Sequence, residues 1–279
     1  MTATRSALPT LVVLLLAAVP ARLEAADAPP APAAPAADAL ATLEADVKAH
    51  LEARALELLA ADVKAALAGH AKTTGKDRER HGALLAAILK GCTDDGVQKA
   101  AIEAIGATKD ATLFPAVRPF LAQPNKKAVP PLLLPAIDAS ALLVAEPAVP
   151  LLLALVKETK TMPVGQAALK ALGAFGASKK TRVTIVKELA ATIGKDRPGV
   201  GGSFGGAGGV EVAEGGEDTS TTTEGKNGKT GQSRWGALGP AFVDALNRMT
   251  GQSCGTAEQW LDLIGRYKNR LDELFPSVR

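Results

Sequence analysis

Ala100-Ala101-Ile102-Glu103-Ala104-Ile105-Gly106 recurs as Ala167-Ala168-Leu169-Lys170-Ala171-Leu172-Gly173. The offset is 67 residues, and small, apolar and glycine positions keep their order throughout. A weaker apolar unit lies between the copies, so the underlying period is about 33 residues. Repetition at this period predicts an α-solenoid, in which each helical unit buries its apolar face against its neighbours.

The units extend outward from these copies. After Gly106, Asp110 is placed to cap a new helix, with Pro115 one turn inside. Pro150 lies 35 residues after Pro115, and Val149, Leu152 and Val156 match Phe114, Val117 and Leu121. Gly106 itself is expected just beyond the end of its helix, where the lack of a Cβ suits a C-terminal cap. Before the first copy, Leu84, Leu85, Ile88 and Leu89 form one helical face, and Cys92 to Gly96 reads as a turn with caps. Further upstream, Leu40, Leu43, Val47 and Leu51, then Leu56, Leu59, Val63 and Leu67, follow helical spacing with a phase shift near Arg54. The expectation is one long amphipathic helix opened by Asp38 and capping the stack. Glu44, Asp46, Glu52, Glu57 and Asp62 would occupy its wet side.

Composition agrees. The chain is 47% hydrophobic but 3% aromatic, so its core is built from Ala and Leu. Small side chains allow helices to approach closely, whereas sheets favour β-branched and aromatic residues. Strand alternation is hardly visible, and the fold class read from the sequence is all-α.

The small-small-apolar-x-x-apolar-Gly run, followed by a capped helix with an early proline, resembles HEAT repeats, in particular the short HEAT-like units of bacterial proteins. The resemblance spans about residues 80 to 195. The Trp/Leu-Gly/Tyr signature of tetratricopeptide repeats and the T-P-L-H motif of ankyrin are missing. In the middle unit Ala139-Ser140 stands where its neighbours have Ile105-Gly106 and Leu172-Gly173. The string Leu246-x-x-Met249-Thr250-Gly251-Gln252, with Gly255 and Trp260, resembles the closing unit of exported HEAT-repeat proteins. The resemblance implies a binding scaffold and supplies no catalytic residues.

The remaining segments set the organisation. Arg5, the apolar run Leu8 to Val19, Pro20, and Ala25-Ala26 read as a secretory signal over residues 1–25. Residues 26–37 form a Pro/Ala-rich linker of polyproline type. The solenoid with its N-terminal cap is placed at 38–197. Residues 198–233 hold 12 glycines among 36 residues and a charge of −3, the composition of a disordered insertion. A C-terminal helical cap is placed at 234–279, with Phe242, Leu246 and Met249 on one helical face. Thr256 and Gln259 there form a capping box.

Charge and cysteine content narrow the function. Without residues 1–25 the chain carries 30 basic and 28 acidic residues, a balance that calls for no nucleic acid partner. The Leu8 to Val19 run is too short to span a membrane, and no second long apolar run follows. Cys92 and Cys254 lie 162 residues apart in different repeats, so two separate thiols are expected rather than a disulfide. His50, His70 and His81 form no HxxxH or HExxH pair, and surface placement is expected. Gly228-Lys229-Thr230 ends like a P-loop but lacks the first glycine and a preceding strand. Catalytic residues, cofactors and metals are therefore not expected.

One charge cluster stands out. Nine basic residues between Lys157 and Arg197 face three acidic ones. Lysine runs often mark only a solvated helix face. The functional reading is a patch for an acidic partner formed by Lys170, Lys179, Lys180, Arg182 and Lys187, with the acidic insertion competing for it. The sequence thus points to an exported, non-enzymatic scaffold binding a protein or peptide. An accessory subunit of a periplasmic enzyme complex is the alternative, and a bilin-lyase-like HEAT enzyme would need a convergent His/Cys/acid set.

Overall fold

The helices pack in neighbouring pairs along the chain. The computed structural model describes residues 36–122, 130–197 and 227–274, with side chains from residue 39 and residue 234 in the first and last stretches. Among the described residues there are eleven α-helices and no strand. They are α1 (Ala36–Ala53), α2 (Leu56–Lys72), α3 (Gly75–Gly91), α4 (Asp95–Thr108), α5 (Phe114–Leu121), α6 (Leu133–Leu143), α7 (Val149–Glu158), α8 (Met162–Leu172), α9 (Lys179–Gly194), α10 (Asn227–Thr250) and α11 (Ala257–Arg266). Consecutive even-numbered helices pack on one another, α2 on α4, α4 on α6, α6 on α8 and α8 on α10. The odd-numbered helices pack on one another in two stretches, α1–α3–α5 and α7–α9–α11.

The matched core positions are buried in both copies. Phe114, Val117 and Leu121 in α5 correspond to Val149, Leu152 and Val156 in α7, and all six are within 5% exposure. Each of these helices follows a short 3-10 turn and carries a proline in its first turn, where the missing N–H costs nothing. Asp110 caps the 3-10 turn before α5 rather than α5 itself, its Oδ1 accepting from the Thr112 N–H at 3.0 Å. Asp94 caps α4, accepting from the Val97 N–H at 2.9 Å.

Several expectations change. The long N-terminal helix is broken into a hairpin. Arg54 adopts a left-handed φ of 53°, the Ala55 N–H reaches the His50 carbonyl at 3.0 Å and the Arg54 N–H reaches Leu51 at 3.3 Å. This is a Schellman ending, and it sits at the phase shift. Asp38 lies inside the first turn of α1 rather than at its cap, and Asp62 is buried rather than wet.

Gly106 does not end its helix either. α4 runs on to Thr108 and closes at Lys109, which takes the left-handed conformation. Gly106 is a contact glycine: a Cβ there would lie 2.8 Å from the Ala139 Cα and 3.0 Å from its Cβ. Gly173 plays the same part between α8 and α10, where a Cβ would lie 3.2 Å from the Ala245 Cα. The repeated glycine therefore lets neighbouring even-numbered helices touch backbone to backbone.

The helical face and the capping box read in the C-terminal segment are present. Phe242, Leu246, Met249 and Trp260 are buried, and Gly251 takes a φ of +69° beyond α10. Thr256 caps α11 through the Gln259 N–H at 3.3 Å, while the Gln259 side chain accepts from the Gly255 N–H at 2.8 Å. α10 begins at Asn227, inside the segment expected as an insertion. Residues 1–35, covering the signal and nearly all of the linker, and residues 198–226 of the insertion lie outside the described residues.

Candidate functional site

The basic patch is divided between α8 and α9. Lys170 is exposed on α8, which packs on α6, α7 and α10. Lys179, Lys180 and Lys187 are exposed on α9, which packs on α7, α10 and α11. Arg182 leaves the surface, being 4% exposed. The repeat explains why: 68 residues after Phe114, Val117 and Leu121 stand Arg182, Ile185 and Leu189. Arg182 thus occupies an inward position of the third unit, and the register of the copies was the signal that could have found it. Lys179 also pairs with Asp272 at 3.4 Å, and Arg197 with Asp262 at 3.4 Å. Lys180 and Lys187 remain as the basic stripe of α9, one turn pair apart on the same face.

The even-numbered row offers the more continuous surface. Its exposed positions include Lys99 and Glu103 on α4, Asp138 and Leu142 on α6, Lys170 on α8, and Asp244 and Arg248 on α10. The charges balance along the row. Between α4 and α6 lies a shallow groove of about 290 Å³, lined by Lys99, Glu103, Leu134, Pro135, Asp138 and Leu142. Ala139, which meets Gly106 across the seam, also lines it, and Leu142 is 47% exposed at its side. A second groove of about 360 Å³ lies between α10 and α11, with Trp235, Gly239, Pro240 and Val243 among its lining. There the Trp235 Nε1 donates to the Glu258 carboxylate at 3.2 Å. The Glu258 N–H and the Thr256 hydroxyl hold that carboxyl below its ordinary range.

Arg234 locks the C-terminal unit onto the repeats. Its Nε donates to Asp196 at 2.7 Å, one terminal nitrogen donates to the Thr159 carbonyl at 2.6 Å, and the other to the Val156 carbonyl. One side chain therefore satisfies the carbonyl end of α7, ties it to Asp196 just beyond the end of α9, and anchors α10. Asn247 performs a similar task nearby. It bridges the Cys254 backbone in both directions, at 3.2 and 3.1 Å, and accepts from the buried Trp260 Nε1 at 2.9 Å. Both residues escape a periodicity reading because their partners lie outside their own helix, up to 78 residues away for Arg234.

The histidines overturn the surface expectation. His70 and His81 are buried, at 3% and 7% exposure. His50 on α1 meets the buried Asp62 of α2 at 2.7 Å. The His70 Nε2 accepts from the Arg78 Nε at 3.3 Å and lies 3.7 Å from Asp110. The His81 ring covers Gly69, where a side chain would collide with it. Burial lowers the pKa of both rings, because the charged form loses hydration. Beside them Arg80 grips Glu44 through two bonds of 2.8 and 2.7 Å, which holds that carboxyl below its ordinary range.

Cys92 is buried in the core and Cys254 is half-buried, and both are free thiols as expected. Burial pushes the Cys254 thiol up, away from the range of a reactive thiolate. Among the described residues no group of three His, Cys, Asp or Glu side chains could hold a metal ion, and no helix is long and apolar enough to cross a membrane. Set beside protein-family models, curated proteins and solved structures, the chain matches none of them.

Proposed function

We propose that this chain is an exported, non-enzymatic α-solenoid of HEAT-like helical pairs that holds a protein or peptide on the outward face of its even-numbered helices. The observation that supports this most is the succession α2–α4–α6–α8–α10, in which each helix packs on the next and Gly106 and Gly173 bring the α4–α6 and α8–α10 backbones close. The step from repeat fold to binding is an analogy of architecture. The chemistry of the surface narrows it. Balanced charges around the apolar α4–α6 groove suit an amphipathic segment better than a polyanion. The export reading rests on residues 1–25 alone.

The test uses a photo-reactive amino acid placed singly at Lys99, Asp138 and Lys170 in the full chain, expressed with its own N-terminus. One crosslinked partner shared by these three positions, and absent with the label at Lys90 on α3, is expected. Crosslinking from Lys180 and Lys187 instead would move the site to the basic stripe of α9. Uniform labelling at every position would remove the even-row assignment. Recovery of the chain only in the cytoplasmic fraction would remove the export reading.

A further inference from the structure

All three histidines of the chain lie in α1–α3, the first three described helices, and two of them are buried. We propose that these helices form an acid-operated latch, in which proton uptake by His70 and His81 separates α3 from α2 while α6–α8 stays packed.

The geometry sets the direction. His70 accepts from Arg78 through Nε2, so it is neutral in the closed state. A proton at that nitrogen would remove the bond and set two cations together. The His81 Nδ1 is buried without a hydrogen-bond partner, and the ring lies flat on Gly69. Charging it places a desolvated cation in the α2–α3 seam.

The surrounding charges offset this only in part. From α1, Glu44 faces His81 but is held in the two bonds to Arg80. On α3, Asp77 attracts His81 and Arg80 repels it, and these two lie 3.5 Å apart. Asp110, following α4, turns its Oδ2 toward the His70 Nε2 at 3.7 Å and attracts it, while its Oδ1 accepts from the Thr112 N–H and hydroxyl and Arg78 repels the charged ring. His70 and His81 also repel each other once charged. Burial outweighs these attractions, and both rings titrate below their ordinary 6.5. A histidine with a lowered folded pKa stabilises the closed state above 6.5, and that stability falls as acid charges the open state first. Among the described residues α2 and α3 pack on α1, α4 and α5 and not on α6–α11 beyond a few contacts, so a loss in their seam is borne locally.

Hydrogen exchange of the full chain at pH 7.5 and 5.5, corrected for intrinsic rates, tests this. Opening of α2 and α3 is expected to rise by up to about tenfold per histidine, with α6 and α8 unchanged. The His70→Gln/His81→Gln variant should lose the response and His50→Gln should keep it. If the double variant does not fold, imidazole titration of the unaltered chain by NMR decides. Titration of His70 and His81 at or above 6.5, acid opening of every helix alike, or loss of the response in His50→Gln would each overturn the latch.

Discussion

Replacing Gly106 by alanine separates two opposing effects. In the middle of a helix the change favours folding by up to about 1 kcal/mol, since glycine has more freedom to lose. Here the added carbon would stand 2.8 Å from the Ala139 Cα and 3.0 Å from the Ala139 Cβ. Carbon atoms pack at about 3.5–4.0 Å, so α4 and α6 must separate by roughly 1 Å. The obstruction is backbone, which no rotamer change can clear, and the seam around Ile102, Ile105 and Ile137 is fully buried. Overpacking of this kind costs about 1–3 kcal/mol, and a gap of that width forfeits a quarter to a half of each contact across it. We expect a net loss of about 1–2 kcal/mol, or roughly 2–8 °C in Tm for a chain of this size. Two further glycines calibrate the series. At Gly82 the nearest obstacle is the tip of the Leu113 side chain at 3.0 Å, and at Gly265 nothing lies within 4 Å. The expected order of Tm after alanine substitution is Gly265 highest, Gly82 near the parent and Gly106 lowest, read by circular dichroism melting. Should Gly106→Ala rise in Tm as Gly265→Ala does, the glycine is merely a weak helix former and the close-contact argument is refuted.

Three other changes test separate features. Val144 closes α6 with a φ of 49°, a left-handed conformation costly for a β-branched residue; Val144→Gly should raise stability by about 0.5–1 kcal/mol in urea unfolding, and a lower midpoint would contradict the strain. Arg234→Met should destabilise by about 2–3 kcal/mol, because Asp196 and two carbonyls lose a charged donor. A change under roughly 0.5 kcal/mol would mean the clamp is ornamental. In acid, Glu44, Asp110 and Glu258 all sit below their ordinary pKa when folded. Their stability is present above the ordinary carboxylate range and lost as pH falls through the folded values, so Tm should drop between pH 4.5 and 3, and a rise there would reverse the sign.

The insertion shows where composition stops being a guide. Twelve glycines mark residues 198–233 as unlike the repeats, yet α10 starts at Asn227 within them. Local poverty in apolar groups does not reveal that the helix continuing from this segment docks on α8 and α9 through Leu238 and Phe242. The clamp at Arg234 has the same origin. Its partners Val156, Thr159 and Asp196 lie 78, 75 and 38 residues away, beyond any window in which periodicity is read.

By itself the sequence determined the helical class, the matched core positions of α5 and α7, the caps at Asp94, Asp110 and Thr256, and the separate thiols. Each depends on spacing along one helix, on residues adjacent to its end, or on the distance between units. Even the burial of Arg182 was present in the repeat register. Only the tertiary structure decided what Gly106 is for, that the helix through Arg54 folds back on itself, and that His70 and His81 are enclosed. It also divided the lysines of α8 from those of α9. Periodicity states which side of a helix seeks cover, but not which neighbour supplies it. Contacts between successive even-numbered helices choose that neighbour, and with it which glycines must stay small, which charges are desolvated and which remain in water.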